Sequence, residues 1–348
     1  MKQQLVSTTL GLILTMTIVS LAQAGADDKR LDIYWVDVEG GAATLIVTPL
    51  GESILIDTGN PGRRDSDRIV QVAAKSAKLK QIDHLLITHY HRDHFGGAAT
   101  LATVIPIKNV YDNGVFDGMP DDPGKEYFGF KCEKRIVLKP GDAIPLKSSD
   151  ESKLNCNLFC LGCRKQYVRP DEVHAKKNDA AEKLHKPKDR DGSDNANSLV
   201  MLLGFGPFQF FDAGDLTWNE EFKLVHPFNL VGEVDVYQVT HHGLDSSNNP
   251  AVLQTIKPRV AIMNNGVTKG CAPDVFANLK ATKSIEQIYQ LHKNLRPDGE
   301  TNNVADEFIA NHQQDCKGHF IKLSVDPTGK TYTVSIPAHQ HERQFETK

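Results

Sequence analysis

The stretch Thr88–Gly97 constrains this chain most, because three histidines and one aspartate fall within six of its positions. An apolar run at residues 83–87 precedes it and predicts a buried strand, and a helical pattern begins at its end. The polar side chains therefore lie on a tight loop between a strand and a helix. Imidazole and carboxylate groups bind zinc and related ions, so this loop predicts a metal site. The predicted ligands are His89 and His91 for one ion, and Asp93 and His94 for a second.

Three further motifs share one design, in which polar residues follow an apolar run. They are Asp57 after residues 53–56, Asp215 after residues 208–212, and His241-His242 after residues 234–240. In this order the four motifs resemble the signature of the metallo-β-lactamase superfamily, over roughly residues 31–265. Together with Asp37–Gly41, the His-His-Gly motif is most similar to the soluble hydrolase domain of ComEC-type competence proteins.

The resemblance implies an α/β fold, a four-layer αββα sandwich of the metallo-β-lactamase type. It also implies zinc as the cofactor, as two ions, with manganese or iron as alternatives. Asp215 would bridge the ions, and its plain alternative is to cap the helix that begins near residue 217. Asp57 would support the metal loop from behind. The residues to which we assign catalytic roles are Asp93, Asp215 and His242.

The adjacent histidines His241 and His242 are predicted to lie at the end of an extended strand. Successive side chains of a strand point to opposite faces, so only one of the two would reach the metal. The superfamily pattern favours His241 as the ligand and His242 as a group that contacts substrate or supports the site.

Two positions depart from the family pattern. Many members carry a further histidine before the bridging aspartate, where this chain has Asn197, a poorer ligand. The first motif of ComEC-type chains carries a second aspartate that residues 37–43 lack. Lys269 follows a turn at residues 264–266 and is a candidate for binding an anionic substrate; a solvated lysine is the alternative.

Strands and helices alternate along the chain, which is typical of a layered α/β domain. The apolar patterns predict individual elements with definite limits. They are a helix over residues 67–79, a hairpin over 198–212, helices at 273–281 and 284–293, and a closing pair of strands near 319–325 and 331–336.

The N-terminus indicates export. Residues 1–24 have a charged start, a short apolar run and a small-x-small end, which is typical of a secretory signal peptide; an uncleaved anchor is the alternative. We predict a periplasmic or secreted protein without a stable membrane span after cleavage, and a single metallo-β-lactamase-like domain over residues 25–348. Residues 164–196 are a charged insertion that we interpret as solvated or partly disordered, with a lid over the site as the alternative.

The net charge of −4 does not support nucleic acid as a partner, although it leaves room for a local basic patch. The chain contains no G-x-S-x-G nucleophile motif. We therefore predict a hydrolase in which metal-bound hydroxide attacks a small-molecule or phosphodiester substrate, or a related ester. The alternatives are an iron-binding oxidoreductase of the same fold and a binding module that keeps the metal without turnover. The substrate and the oligomeric state are not predicted.

Overall fold

A computed structural model describes residues 25, 27–149 and 154–348, so the predicted signal peptide lies outside the described residues. Within this part of the chain, two large sheets pack face to face and helices cover the outer face of each sheet. This four-layer αββα arrangement confirms the predicted fold class. Among the described residues, no helix has the length and hydropathy needed to cross a membrane.

The first sheet contains nine strands in the described residues. They are β1 (Leu31–Trp35), β2 (Thr44–Val47), β3 (Ser53–Ile56), β4 (Ile82–Leu86), β5 (Ile107–Asp112), β6 (Lys134–Val137), β17 (Ile321–Val325), β18 (Thr331–Ile336) and β19 (His341–Glu346). Their order across the sheet is β19-β18-β17-β1-β2-β3-β4-β5-β6. From β3 to β6 the strands run parallel, and the other neighbours are antiparallel.

The second sheet contains eight strands in the same described ranges. They are β7 (Cys156–Cys163), β8 (Gln166–Tyr167), β10 (Val200–Phe205), β11 (Phe208–Asp212), β13 (Val236–Gln238), β14 (Val260–Met263), β15 (Gln287–His292) and β16 (Ile309–Asn311). Their order is β16-β15-β14-β13-β11-β10-β7-β8, with parallel pairing from β11 through β16. A separate ribbon pairs β9 (Lys176–Lys177) with β12 (Phe228–Asn229).

The core between the sheets follows from alternation along the strands. Leu31, Ile33 and Trp35 of β1 point to one face and are fully buried in the cluster that the two sheets share. The Trp35 ring packs edge-on against Phe210 of the second sheet, with 5.6 Å between centroids. Its indole N–H donates to Gln238 Oε1 at 2.8 Å, so the polar group of this large buried ring is satisfied across the interface.

Helices cover the two outer faces. They are α1 (Arg63–Gln71), α2 (Arg92–Phe95), α3 (Ala98–Ala102), α4 (Gly124–Gly129), α5 (Trp218–Lys223), α6 (Pro250–Ile256) and α7 (Pro273–Ala281). Helices α1 and α3 bury Ile69 and Leu101 against the first sheet. Helices α6 and α7 bury Leu253 and Phe276 against the second. Each helix therefore covers a sheet face that would otherwise expose apolar side chains.

Several element predictions need correction. The helix predicted over residues 67–79 begins earlier, at Arg63, and its last turn widens into a π-helix over Val72–Ser76. Residues 284–293, predicted as a helix, contain strand β15, because pairing with β14 and β16 on both sides overrides the local helical pattern. The closing pair of strands is confirmed, and a further strand, β19, follows it.

The parallel strands determine where polar groups gather. The carboxyl ends of parallel strands meet at one edge of a sheet, where loops can carry a site. Asp57 follows β3 and the Thr88–Gly97 loop follows β4 in the first sheet. Asp215 follows β11 and His241 follows β13 in the second. Because the sheets face each other, these loops converge on one position between them.

Candidate metal centre

Four imidazole rings surround the carboxylate of Asp215, which is only 2% exposed. The distances from Asp215 Oδ2 to the Nε2 atoms are 3.1 Å for His94, 3.3 Å for His242, 3.5 Å for His241 and 3.9 Å for His89. Rings from both sheets thus aim the same nitrogen at one oxygen. Asp215 is the geometric centre of the cluster.

A tight turn after β11 places Asp215. The backbone N–H of Gly214 donates to Asp212 Oδ1 at 2.9 Å, and Gly214 has a φ of +53°. A Cβ at Gly214 would lie 2.9 Å from Thr88 Cβ, so glycine is required for the two loops to approach. Helix α5 has Thr217 as its N-cap, so the capping alternative for Asp215 does not hold.

The opposite nitrogen of each ring has its own partner in the surrounding structure. These contacts are Nδ1 of His89 with Thr88 Oγ1 at 3.1 Å, of His94 with Asp57 Oδ2 at 2.7 Å, of His241 with Ser246 Oγ at 2.9 Å, and of His242 with the carbonyl oxygen of Asn264 at 3.3 Å. Such outer contacts orient metal-binding histidines. Asp57 lies where the predicted supporting role requires it; the role itself stays a prediction.

Two sets of ligand atoms are close enough to hold ions. Atoms of Asp93, His94, Asp215 and His242 lie within 4.8 Å of one another, and so do atoms of His89, His91 and Asp215. Asp215 belongs to both sets, as a bridging carboxylate would. In the described part of the chain, Nε2 of His89 is a buried nitrogen without a hydrogen-bond partner. A buried polar atom of this kind is costly unless something binds it, so the residues fit a metal pair.

The electrostatics of the cluster also fit cations. Burial lowers the pKa of His94. The negative charges of three nearby carboxylates outweigh this effect and hold the pKa of His94 well above its ordinary value; they belong to Asp215, Asp57 and Asp93. Burial, followed by the proximity of His94, holds the pKa of His89 well below its ordinary value. Burial also lowers the pKa of His241 to about 4. His89 and His241 are therefore neutral at pH 7, the form that binds metals.

The strand-end geometry predicted for the histidine pair is wrong. His241 and His242 lie in a short 3₁₀ turn, Thr240–Gly243, with φ values of 57° and 55°. This left-handed backbone is rare outside glycine, and it turns both rings towards Asp215. His242 therefore sits inside one ligand set instead of beside it. Which of the two binds a metal stays a prediction.

The position of Asn197 also differs from expectation. Its side-chain amide donates to Asp194 Oδ1 at 2.9 Å, within a 3₁₀ turn over Asp194–Asn197, and this contact braces the turn. The amide nitrogen of Asn195 instead lies 3.3 Å from His241 Nε2. Asn195 is thus the residue of this turn that reaches the cluster. The sequence marks this turn only by its Asp-Asn-Ala-Asn run at residues 194–197. The geometry of the 3₁₀ turn decides that Asn195, and not Asn197, faces the cluster.

Lys269 lies at the rim of the centre. Its ammonium group forms a close ion pair with Asp93 Oδ2, and its side chain is 36% exposed. Nε2 of His242 lies 3.3 Å from the same Asp93 oxygen, Oδ2. The predicted anion-binding lysine therefore borders both the ligand set and solvent.

The charged insertion at residues 164–196 packs along α5. His185 stacks on Phe222 with 3.8 Å between ring centroids, and the Lys188 ammonium lies 3.9 Å from the centroid of the Trp218 ring. Lys188 also donates to the carbonyl of Asp245, close to the histidine turn. His185 and Lys188 thus contact the ordered helix α5, although most of the insertion is exposed to solvent, as the sequence predicts. Its role as a lid stays a prediction.

A third set of possible ligands comprises Asp37, Glu39, His292 and Cys316. The Arg68 guanidinium already lies among them, 2.8 Å from Asp37 Oδ2 and 3.0 Å from Glu39 Oε1. His292 Nε2 is 2.5 Å from Asp37 Oδ1. Because a cation already compensates these carboxylates, we interpret the set as a buried ion-pair network that anchors the first motif.

Comparison with known proteins agrees with this geometry. Residues 36–155 match the family model of the metallo-beta-lactamase superfamily. Recombination protein 2 of Haemophilus influenzae is 24% identical over 264 residues, which cover 73% of this chain and 26% of that protein. ComE operon protein 3 of Bacillus subtilis is 22% identical over 249 residues, which cover 68% of this chain and 28% of that protein.

A metal-dependent hydrolase of Cupriavidus metallidurans is 39% identical over 85 residues, covering 23% of this chain and 26% of that protein. The chain thus spans about a quarter of the length of the curated relatives that it matches. Residues 36–155 thus carry the match to the metallo-beta-lactamase superfamily, and the wider chain is similar at modest identity to the two competence-type proteins, Recombination protein 2 and ComE operon protein 3.

Proposed function

We propose that this chain is an exported hydrolase that uses two divalent ions to cleave a phosphodiester or a related ester with water. The observation that carries the proposal is the convergence of four imidazole Nε2 atoms on the Asp215 carboxylate, at 3.1 to 3.9 Å. A carboxylate shared by two ligand sets suits a metal pair, and metal pairs clamp the attacking and leaving oxygens of a displacement.

The residues divide between two positions. His89, His91 and Asp215 would hold one ion, and Asp93, His94, Asp215 and His242 the other. When bound, the ions supply Lewis acidity and lower the pKa of a bound water to about 7. Zinc fits this mixed nitrogen and oxygen set best, and manganese and iron are the alternatives.

The chain's own side chains would bind and orient the substrate. Lys269 forms an ion pair with Asp93 and is 36% exposed, so its ammonium group would lie beside the metal site and could bind an anionic oxygen of the substrate. His241 would stay neutral, since burial lowers its pKa to about 4, and a neutral ring can bind an ion through Nε2. The Ser246 hydroxyl, 2.9 Å from His241 Nδ1, fixes the orientation of that ring.

The charge of the molecule supports a small substrate. A net charge of −4 gives no general attraction to a polyanion, so we propose a small-molecule phosphodiester or ester and not a long nucleic acid. Export rests on the signal-like pattern of residues 1–24.

The test begins with protein stripped by a chelator and reloaded with zinc, manganese or iron(II). Metal content is counted by mass spectrometry, and turnover is measured on a panel of phosphodiesters, esters and lactones. We expect two ions per chain and metal-dependent hydrolysis. In ¹⁸O-labelled water, one turnover of a phosphodiester should place one labelled oxygen on phosphorus.

A matched pair of variants completes the test. His89→Ala removes a buried ligand, whereas His312→Ala removes a partly exposed histidine far along the chain. We expect only His89→Ala to lose metal and rate. Full hydrolysis by stripped protein, or a covalent phosphoryl-enzyme, would overturn the proposal, and so would a metal-loaded protein that oxidises its substrate without hydrolysing any member of the panel.

A further inference from the structure

We propose that Asp121 is a positioning residue for His91, and that it controls the affinity of the ion bound by His89, His91 and Asp215. This inference rests on the proposed function, because it concerns one of the two ion positions. Asp121 lies in the loop between β5 and α4, outside every motif that marks the family.

His91 differs from the other histidines in how it is held. The rings of His89, His94, His241 and His242 are each supported at Nδ1 by a group inside the fold. The ion-pair contact of the His91 ring is instead with the carboxylate of Asp121, with 3.4 Å between Nε2 and Oδ2. The side chains are 30% and 46% exposed. One ligand of the cluster is therefore oriented from the solvent side.

The contact defines which nitrogen of His91 is available. The negative charge of the Asp121 carboxylate beside Nε2 favours a hydrogen on that nitrogen, so Asp121 favours the tautomer that carries hydrogen at Nε2. The lone pair is then on Nδ1, which can face an ion. Asp121 approaches the ring from outside the set that His89, His91 and Asp215 form within 4.8 Å. It thus acts on the ring and not directly on the ion.

Asp121 also lines a cavity of about 450 Å³ beside the metal loop. Arg92, Phe95, Asp122 and Glu126 border the same cavity. Among the residues that line this cavity, Asp121 is the one that forms an ion-pair contact with a ligand histidine of the centre. Asp122 offers a matched control, because it lines the same cavity and its side chain accepts from the Gly124 N–H at 2.8 Å instead.

The experiment measures stepwise metal affinity of the full chain by competition with a chromophoric chelator, using zinc, and then the absorption bands of cobalt-substituted protein. Asp121→Asn should weaken one of the two ions about 10–100-fold and leave the other unchanged, which is the usual effect of losing an outer carboxylate. Asp122→Asn should match the wild type at both positions. Asp121→Glu should recover part of the lost affinity.

A spectroscopic readout separates positioning from general stability. ¹⁵N shifts of the His91 ring should report metal at Nδ1 and hydrogen at Nε2 in the wild type, and a tautomer mixture in Asp121→Asn. The thermal midpoint without metal should not move, because Asp121 is half-exposed. Two unchanged zinc affinities in Asp121→Asn, or equal losses in Asp122→Asn, would overturn the inference. A wild type that binds no metal would instead overturn the proposed function.

Discussion

Asp57→Asn tests how strongly the surroundings of the centre control metal binding. Asp57 accepts three hydrogen bonds, from the Thr88 N–H at 2.8 Å, the Thr88 hydroxyl at 2.8 Å and His94 Nδ1 at 2.7 Å. Its φ of 62° is in the left-handed region, which asparagine tolerates better than most residues. The substitution therefore changes the hydrogen bonds with little strain on the backbone.

The expected magnitude follows from the donors. If the new amide oxygen keeps the Thr88 N–H, the amide NH₂ faces His94 Nδ1 and donates to it. The ring proton then moves to Nε2, the atom that lies 3.1 Å from Asp215 Oδ2, and metal binding must displace it. Loss of an outer carboxylate costs about 10–100-fold in metal affinity, and the wrong tautomer puts this case at the upper end. We expect about 100-fold, or about 2.7 kcal/mol.

The assay is zinc competition against a chelator of known affinity, with thermal unfolding of metal-free protein run in parallel. Asp83→Asn is the control. Asp83 is also buried at the first sheet and accepts from the Ser53 N–H at 3.0 Å and from Lys108 Nζ at 3.0 Å, but it contacts no histidine of the centre. We expect Asp83→Asn to lower stability and leave zinc affinity unchanged.

Two results would refute this reasoning. An affinity of Asp57→Asn within twofold of the wild type would show that Asp57 does not orient His94. An equal loss in Asp83→Asn would show that metal affinity follows general stability of the sheet and not the contact with His94.

Three further predictions use other parts of the chain. Asp215→Ala should lose both ions and reduce the rate to that of stripped protein, measured by metal counting and turnover; full metal content would contradict its bridging role. Burial raises the pKa of Glu221 from 4.5 to about 7, so the folded state holds this proton more tightly than the unfolded state. The stability that this proton provides is present below pH 4.5 and is lost as the pH rises to 7, by up to about 3 kcal/mol. Glu221→Gln keeps an acceptor for the Asn249 N–H and should flatten this dependence in urea unfolding between pH 4.5 and 8. Residues 1–24 should be missing from protein purified from its producing cell, and an intact mass that includes Met1 would contradict export.

The sequence predicted the parts of the centre that depend on short-range patterns. The metal loop follows its strand directly, so His89, Asp93 and His94 could be assigned from spacing alone. Asp57 and Asp215 were predicted from the resemblance to the metallo-β-lactamase signature, and each comes just after a buried strand.

Other features depend on tertiary contacts that no local pattern records. The left-handed backbone of His241 and His242 reflects the way their turn hydrogen-bonds to the Asp215 loop, with the His241 N–H donating to the Gly214 carbonyl at 3.0 Å. Asn195 was missed because the turn that contains it reaches His241 over 46 positions of sequence. Residues 287–292 form a strand because they pair with β14 on one side and β16 on the other, although their own apolar spacing favours a helix.

The centre lies across the boundary between the two sheets, so a bound ion would affect the stability and lifetime of the folded protein. Asp57 and His94 come from loops of the first sheet, and Asp215 and His242 from loops of the second. An ion bound there would add a cross-link between halves that are held together by the shared apolar core and by hydrogen bonds such as that of Trp35 with Gln238. Because such an ion binds only the folded chain, a thousandfold excess over its dissociation constant adds about 4 kcal/mol to stability. Amide hydrogens at the ends of β4 and β11 would then exchange more slowly, and the lifetime of the folded protein would follow the supply of metal around it.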